Sequence, residues 1–295
     1  MAKVNKKAKY NRFTLFDCFL YLIMIFVMAA IIVPFIHIIS VSFSDSKYVV
    51  QGAVGLWPRG FTLSTYMKIF EDDSFLRAYG NTIFVTVVGT TISLVTTAMA
   101  AYALSRRAIV GHKLFSTMIT ITMFFSGGMI PGYLAVQSYG LLDSLWALIL
   151  PSMISTWNLI IMRSFFVAYP SEIVESGQID GLQDAGVFFR LVLPTSKAAL
   201  ATIGLYYAVA YWNAYMNSRL YISNQDMYPV QHLLQRMIKA ASGFDNAVGG
   251  GGGETIVSAS VRYASIIVVI TPIMCVYPFI QKYFVKGVMV GSVKG

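Results

Sequence analysis

The sequence predicts an all-α membrane protein of six transmembrane helices with cytoplasmic N- and C-termini, and three observations lead there. Of 295 residues, 57% are hydrophobic and only 12% are charged, about half the charged share of an ordinary soluble domain. Mean hydropathy is +0.66, an apolar excess that one or two soluble cores would not need. Six stretches nearly free of Asp, Glu, Lys and Arg are long enough to cross a bilayer, which takes about 20 residues. Helices are expected because an open sheet edge cannot survive in lipid.

The stretches run Cys18 to Phe43, Gly80 to Leu104, Leu114 to Val136, Leu145 to Val167, Ala198 to Ser218 and Tyr263 to Gln281. Only Arg163 interrupts them, near the end of the fourth. The first follows Lys3, Lys6, Lys7, Lys9 and Arg12 as a signal peptide would. It exceeds the usual apolar region of about 7–15 residues and no A-x-A site follows, so it reads as an uncleaved span. The expected organisation is a cytoplasmic tail over 1–17, a first helix over 18–43, a permeation core over 76–281 and a second cytoplasmic tail over 282–295.

Orientation follows from Lys and Arg in short connections. Residues 105–113 carry Arg106, Arg107 and Lys113, whereas 137–144 carry none. The last tail has Lys282, Lys286 and Lys294. The N-tail, 105–113, 168–197 and the C-tail are therefore placed inside, and 44–79, 137–144 and 219–262 outside. The net charge of +9 belongs to these flanks. No basic stripe interleaved with aromatics lies beyond them, so nucleic acid is not an expected partner.

No acidic residue lies within a span, where ionisable groups usually mark ion or proton paths. His37, near the outer end of the first span, reads as a packed or interfacial residue. Cys18 and Cys275 sit apart in apolar runs and suggest packing, not a disulfide framework. There is no G-x-x-x-x-G-K-[ST] sequence, and the Gly249 to Gly253 run reads as a linker. No H-E-x-x-H, C-x-x-C or G-x-S-x-G pattern occurs, so neither catalytic nor metal-ligating residues are assigned.

The informative stretch is Tyr169 to Pro194, YPSEIVESGQIDGLQDAGVFFRLVLP. It reads as two short helices joined by a turn. Ser171 is a candidate N-cap, Glu172 suits the positive helix end, Asp180-Gly181 ends the first helix, and Asp184 can cap the second, which Pro194 closes. The second helix is amphipathic. It can rest on the membrane surface or enter a soluble partner's groove, and its residues alone leave that open.

This stretch resembles the cytoplasmic signature of ABC-importer permeases, with Glu175, Gly181, Leu193 and Pro194 at the signature's Glu, Gly, Leu and Pro. Asp180 matches the Asp-Gly turn of the sugar branch. Ser176-Gly177 departs from the signature's Ala-Ala, and helical glycine costs about 1 kcal/mol relative to alanine, so a looser first helix is expected. Arg163-Ser-Phe-Phe, Trp57-Pro58 with Phe61-Thr62 and Tyr66, and Trp212-Asn213 are similar to sugar permeases. The tail Lys286-Gly287 through Val293-Lys294-Gly295 resembles the maltose-permease type. Phe125-Ser-Gly-Gly-Met-Ile-Pro131 resembles the branch for complex oligosaccharides, often called lipoprotein-linked.

The resemblance implies a type I ABC-importer transmembrane domain in the plasma membrane of a bacterium, without enzyme activity of its own. It implies a second, non-identical permease, two ATPase subunits that hold ATP and Mg, an extracellular solute-binding lipoprotein and a sugar cargo. This chain itself is expected to bind no cofactor. ATPase coupling then falls to helices over 171–193, with Glu175, Asp180, Gly181, Phe188, Phe189, Leu193 and Pro194. Tyr207, Tyr211, Trp212 and Asn213 are candidates for the translocation path, with packing between helices the competing role for the tyrosines. Arg163 either snorkels to headgroups or serves the same machinery. The segment Tyr221 to Tyr263 is expected to meet the binding protein. An ion-driven secondary transporter, or the same architecture with an anionic phosphate-ester cargo, are the alternatives.

Overall fold

The computed structural model describes residues 14–106, 109–241 and 259–292, with side chains to 239 and to 278 in the last two stretches. The tail lysines before Thr14, Arg107, the Gly249–Gly253 run and the final Val293–Gly295 lie outside them. Every named element among the described residues is helical or a helical turn, with one isolated bridge between Ser44 and Phe61. The chain divides into two compact units, residues 1–67 with 255–267 and residues 68–254 with 268–295.

In the first unit, α1 (Leu15–Ser42) begins three residues before the expected span. The reason is a capping box: Thr14 N–H donates to Asp17 Oδ2 at 2.9 Å, and Asp17 N–H to Thr14 Oγ1 at 3.4 Å, satisfying amides that a bare helix start leaves orphaned. Its apolar side chains are exposed all round, Leu22, Ile25 and Phe26 among them, which fits a lipid-facing helix. His37 Nδ1 donates to the Gly55 carbonyl at 2.9 Å. Asp45 caps α2 (Ser46–Val50). Phe43 stacks on Phe61, and Ser42 Oγ meets the Tyr66 hydroxyl at 2.8 Å near the start of α3 (Ser64–Glu71).

The second unit is organised on α4 (Asp73–Ser105). Its 33 residues reach about 50 Å, beyond a hydrocarbon core of about 30 Å. Ala78, Thr82, Val85, Gly89, Ser93, Thr97 and Ala101 are buried along one stripe, and such small residues let membrane helices approach closely. Against it pack α8 (Thr156–Val167) and α12 (Lys197–Trp212). A Cβ at Gly89 would lie 2.9–3.0 Å from three Tyr211 ring atoms, so the glycine admits that ring.

Three expected spans are not single helices. The third divides into α5 (His112–Phe124) and α6 (Met129–Ser138), inclined at 117°. Gly128, at φ +87°, breaks it, a conformation that glycine adopts freely. The fourth divides into α7 (Trp146–Ile149), continued by a 3₁₀ turn Leu150–Ser152, and α8, inclined at 51°. Pro151 lies in that turn and brings no N–H. The fifth ends at Trp212; Asn213 folds its amide back onto the Val209 carbonyl at 2.9 Å, and α13 (Tyr215–Tyr221) restarts. Among the described residues, three helices are long and apolar enough to cross a membrane, or up to six if each bent pair counts as one span.

The remaining elements are α9 (Ser171–Ile179), α10 (Asp184–Val187), a π turn Phe188–Val192, α11 (Leu193–Thr195), a 3₁₀ turn Gln225–Met227, α14 (Val230–Ala241) and α15 (Ala259–Ser292), which contains Pro272 and Pro278.

Candidate functional site

The two short helices expected over 171–193 are present as α9 and the α10–α11 run. Both predicted caps are displaced by one residue: Pro170 and Gln183 occupy the cap positions, and Ser171 and Asp184 open the helices. The turn is as expected. Gly181 adopts φ +82°, its N–H donates to the Gln178 carbonyl at 3.0 Å, and Leu182 N–H donates to the Gly177 carbonyl at 2.9 Å. This pair of reversed bonds closes a helix through a left-handed residue. Pro194 offers no N–H to the Arg190 carbonyl, and the backbone widens to a π turn there.

Gly177 leaves room for a neighbouring side chain. A Cβ there would stand 2.6 Å from Leu191 Cδ1 and 3.6 Å from Leu182 and Val187 atoms. The glycine therefore lets the second helix close on the first, and Val174, Gly177, Val187 and Val192 form the buried seam.

Phe188 and Phe189 part company. Phe188 is 5% exposed, its ring 4.9 Å from Tyr102 of α4 and 6.4 Å from Phe166 of α8, which in turn lie 6.0 Å apart. It is an internal anchor, so of the two only Phe189, 52% exposed, is available to a partner. Glu175, Asp180, Gly181 and Pro194 are exposed as well, and Leu193 is half-buried. Ile173 and Ile179 stand out beside them. Arg163 Nε donates to the Leu104 carbonyl at 3.0 Å and Nη2 to His112 Nε2 at 3.4 Å, supplying a donor and a positive charge to the last turn of α4.

A second region is a cavity of about 650 Å³ lined by α7, α8, α12 and α13, with Ser152, Trp157, Asn158, Tyr206, Asn213 and Asn217 in its wall. Trp157 is 58% exposed. Among the described residues, no charged side chain lines it. Its amides and aromatic faces match the hydroxyls and ring faces of a sugar. Of the four expected path residues, Tyr207, Tyr211 and Asn213 reach this wall, whereas Trp212 lies elsewhere, donating to the Val269 carbonyl at 3.3 Å and meeting Tyr79 edge-on. Tyr207 and Tyr211 are buried, and their hydroxyls are committed to bonds between helices. Sequence reasoning missed Trp157, Asn158 and Asn217. The available signal was a run of polar residues just after Pro151 inside an apolar stretch.

Part of the 221–263 segment is described. Asp143 accepts from Ser223 N–H at 2.5 Å and Asn224 N–H at 2.9 Å, and these backbone bonds, Asn224's first, hold its carboxyl below the usual range. His232 stacks on Tyr228 at 3.9 Å and bonds Ser218 through Nδ1 at 2.8 Å. Burial, and then Arg236, Arg219 and Lys239, push its pKa down to about 4.

No family model matches the chain. It is 43% identical over 282 residues to the polygalacturonan/rhamnogalacturonan transport system permease protein YtcP of Bacillus subtilis (strain 168), covering 95% of this chain and 99% of that one. It is 42% identical over 272 residues to the protein LplC of the same organism, covering 90% of each. Among solved structures, a bacterial ABC transporter involved in the import of the acidic polysaccharide alginate superposes with a TM-score of 0.83 at 31% identity, covering 93% of this chain and 99% of that chain. With its helical architecture and the exposed two-helix segment, this likeness over almost the whole length settles the matter: the chain belongs to the permease subunits of carbohydrate-uptake ABC importers.

Proposed function

We propose that this chain moves oligosaccharides inward across the bacterial plasma membrane as one of two non-identical permeases, with six spans and both termini in the cytoplasm. Two ATPase subunits carry ATP and Mg, and an extracellular solute-binding lipoprotein delivers the sugar. The α9–α11 segment takes up the movement of one ATPase. Glu175, Asp180, Gly181, Phe189, Leu193 and Pro194 form or shape the contact, and Phe188 fastens the segment to the spans. The cavity walled by Trp157, Asn158, Asn213 and Asn217 is this chain's share of the sugar path.

The observation that carries this reading is the split character of the segment. One side is fixed to α4 and α8 by Phe188, and the other leaves Ile179 86% and Phe189 52% exposed beside Glu175 and Asp180. Apolar side chains flanked by charge on an unpartnered helix pair suit a groove in a soluble protein. The cargo of YtcP and of the alginate transporter, as their names give it, is polysaccharide. Among the described residues this wall carries no cation, and its amides and rings suit the hydroxyls and ring faces of a sugar. A cysteine at position 189 is expected to cross-link to an ATPase subunit in membranes of cells making the whole transporter. Absence of that product, or reaction of position 189 only with a membrane-impermeant reagent added outside, overturns the reading. Uptake by the isolated chain driven by an ion gradient would favour a secondary transporter.

A further inference from the structure

Two backbone groups flank the break in the fourth stretch, the Ile149 carbonyl at the start of the 3₁₀ turn and the Ser155 N–H just after it. Two tyrosines one turn apart on α12 take them up. The Tyr211 hydroxyl donates to the Ile149 carbonyl, just before the 3₁₀ turn, at 3.2 Å. The Ser155 N–H, just after the break, donates to the Tyr207 hydroxyl at 2.9 Å. Each hydroxyl is also held by α4, Tyr211 by Ser93 at 2.8 Å and Tyr207 by Thr97 at 2.7 Å. Ser93 and Thr97 are again one turn apart, and both are fully buried. Both flanks of the break are thus clasped to α12 and α4 at once, and Ser155, Trp157 and Asn158 beyond it form the cavity wall.

The same α4 carries Tyr102, against which Phe188 packs. Less than two turns separate Tyr102 from Thr97. A rigid helix therefore joins the segment that receives force to the clasp that fixes the cavity wall. We propose that Tyr207 and Tyr211 are positioning residues for transport: their hydroxyls hold the broken span to α4, so that displacement of the coupling segment reaches Trp157 and Asn158 as movement of the cavity wall. This rests on the function proposed above. A clasp of two-centre hydrogen bonds suits such a role, because it can exchange partners where packed apolar residues cannot.

The test uses the complete transporter in proteoliposomes with its binding protein, measuring ATP hydrolysed per sugar imported. Tyr207→Phe removes one hydroxyl and leaves the ring. We expect ATP hydrolysis to continue while ATP spent per sugar rises roughly tenfold, the scale of one buried peptide group left unpaired. Tyr211→Phe is expected to behave alike. Ser93→Ala, which leaves Tyr211 on the Ile149 carbonyl, should uncouple less than Tyr211→Phe. If Tyr207→Phe does not assemble, Thr97→Ala, which frees Tyr207 from α4 but spares the Ser155 bond, is expected to uncouple in the same direction and, like Ser93→Ala, by less than the loss of the hydroxyl. Normal coupling in Tyr207→Phe or Thr97→Ala, or equal effects of Ser93→Ala and Tyr211→Phe, overturns the inference. The cross-link from position 189 is measured in every variant. Its presence with normal coupling sinks the clasp alone, and its absence in the unmodified chain sinks the proposed function instead.

Discussion

Gly181 offers the cleanest perturbation of the coupling segment, because its surroundings separate backbone strain from crowding. Its φ is +82°, and an added Cβ would meet no atom within 4 Å. Substitution therefore costs conformational energy and nothing else. For Gly181→Ala that cost is about 1–2 kcal/mol, and a β-branched residue fares worse. Asn visits the left-handed region more readily and should cost less. Since 1.4 kcal/mol is a factor of about ten in population, Gly181→Ala should lower the share of correctly closed turns between about fivefold and thirtyfold if that turn is only marginally stable. Gly181→Val should abolish sugar uptake. The assay is ATP-driven uptake by the reconstituted transporter, with nucleotide binding to the ATPase subunits followed in parallel and expected to stay intact. The order Gly, Asn, Ala, Val is the signature of a φ requirement. Unchanged uptake in Gly181→Val, or an Asn variant as impaired as Val, refutes the reasoning.

Three further outcomes are expected. Phe188→Ala empties a buried aromatic site at a cost of about 3–5 kcal/mol, read as faster proteolysis of the 171–195 segment, whereas Phe189→Ala should shift stability by no more than about 0.5 kcal/mol while weakening ATPase association. Gly89→Ala gains about 1 kcal/mol of helix propensity but sets a methyl against the rigid Tyr211 ring, an overpacking of about 1–3 kcal/mol; a net fall in the temperature of inactivation is expected, and Tyr211→Ala should relieve it. His232, neutral in the fold down to pH about 4 against an ordinary value of 6.5, takes up its proton in the unfolded chain first. The stability that neutral His232 contributes to the fold is therefore complete above pH about 6.5 and declines as the pH falls toward 4, and amide exchange around α14 should show that loss in the unmodified chain and not in His232→Gln.

Membrane character, the extent of the apolar stretches and the turn at Gly181 were legible in the sequence, since each depends on local composition or on one residue's backbone freedom. The caps at Pro170 and Gln183 were misplaced by a residue because Ser171 and Asp184 are attractive caps by type, and only geometry decides which residue stands first. The breaks in the third and fourth stretches were written at Gly127-Gly128 and Pro151, yet near-freedom from charge over the whole length made each read as one span. Gly177 read as a defect because propensity is a property of one helix, while its use here depends on Leu191, fourteen positions on. Phe188 and Phe189 are indistinguishable as letters, and their opposite fates follow from the side of the α10–α11 run that meets Tyr102. The cavity wall was hidden most completely, since Trp157, Asn158 and Asn217 come together only when α8 and α13 are folded.

Neither half of the broken third stretch can hold a place in the bilayer unaided. At 1.5 Å per residue α5 reaches about 20 Å and α6 about 15 Å, against some 30 Å of hydrocarbon. During synthesis the two halves are therefore expected to integrate as one bent unit, completed by neighbours not yet made. One of those neighbours is α8, which packs against α5 and emerges from the ribosome later. Membrane integration of this subunit is accordingly a delayed, collective event, and a nascent chain halted before Thr156 should leave residues 112–138 extractable from the membrane.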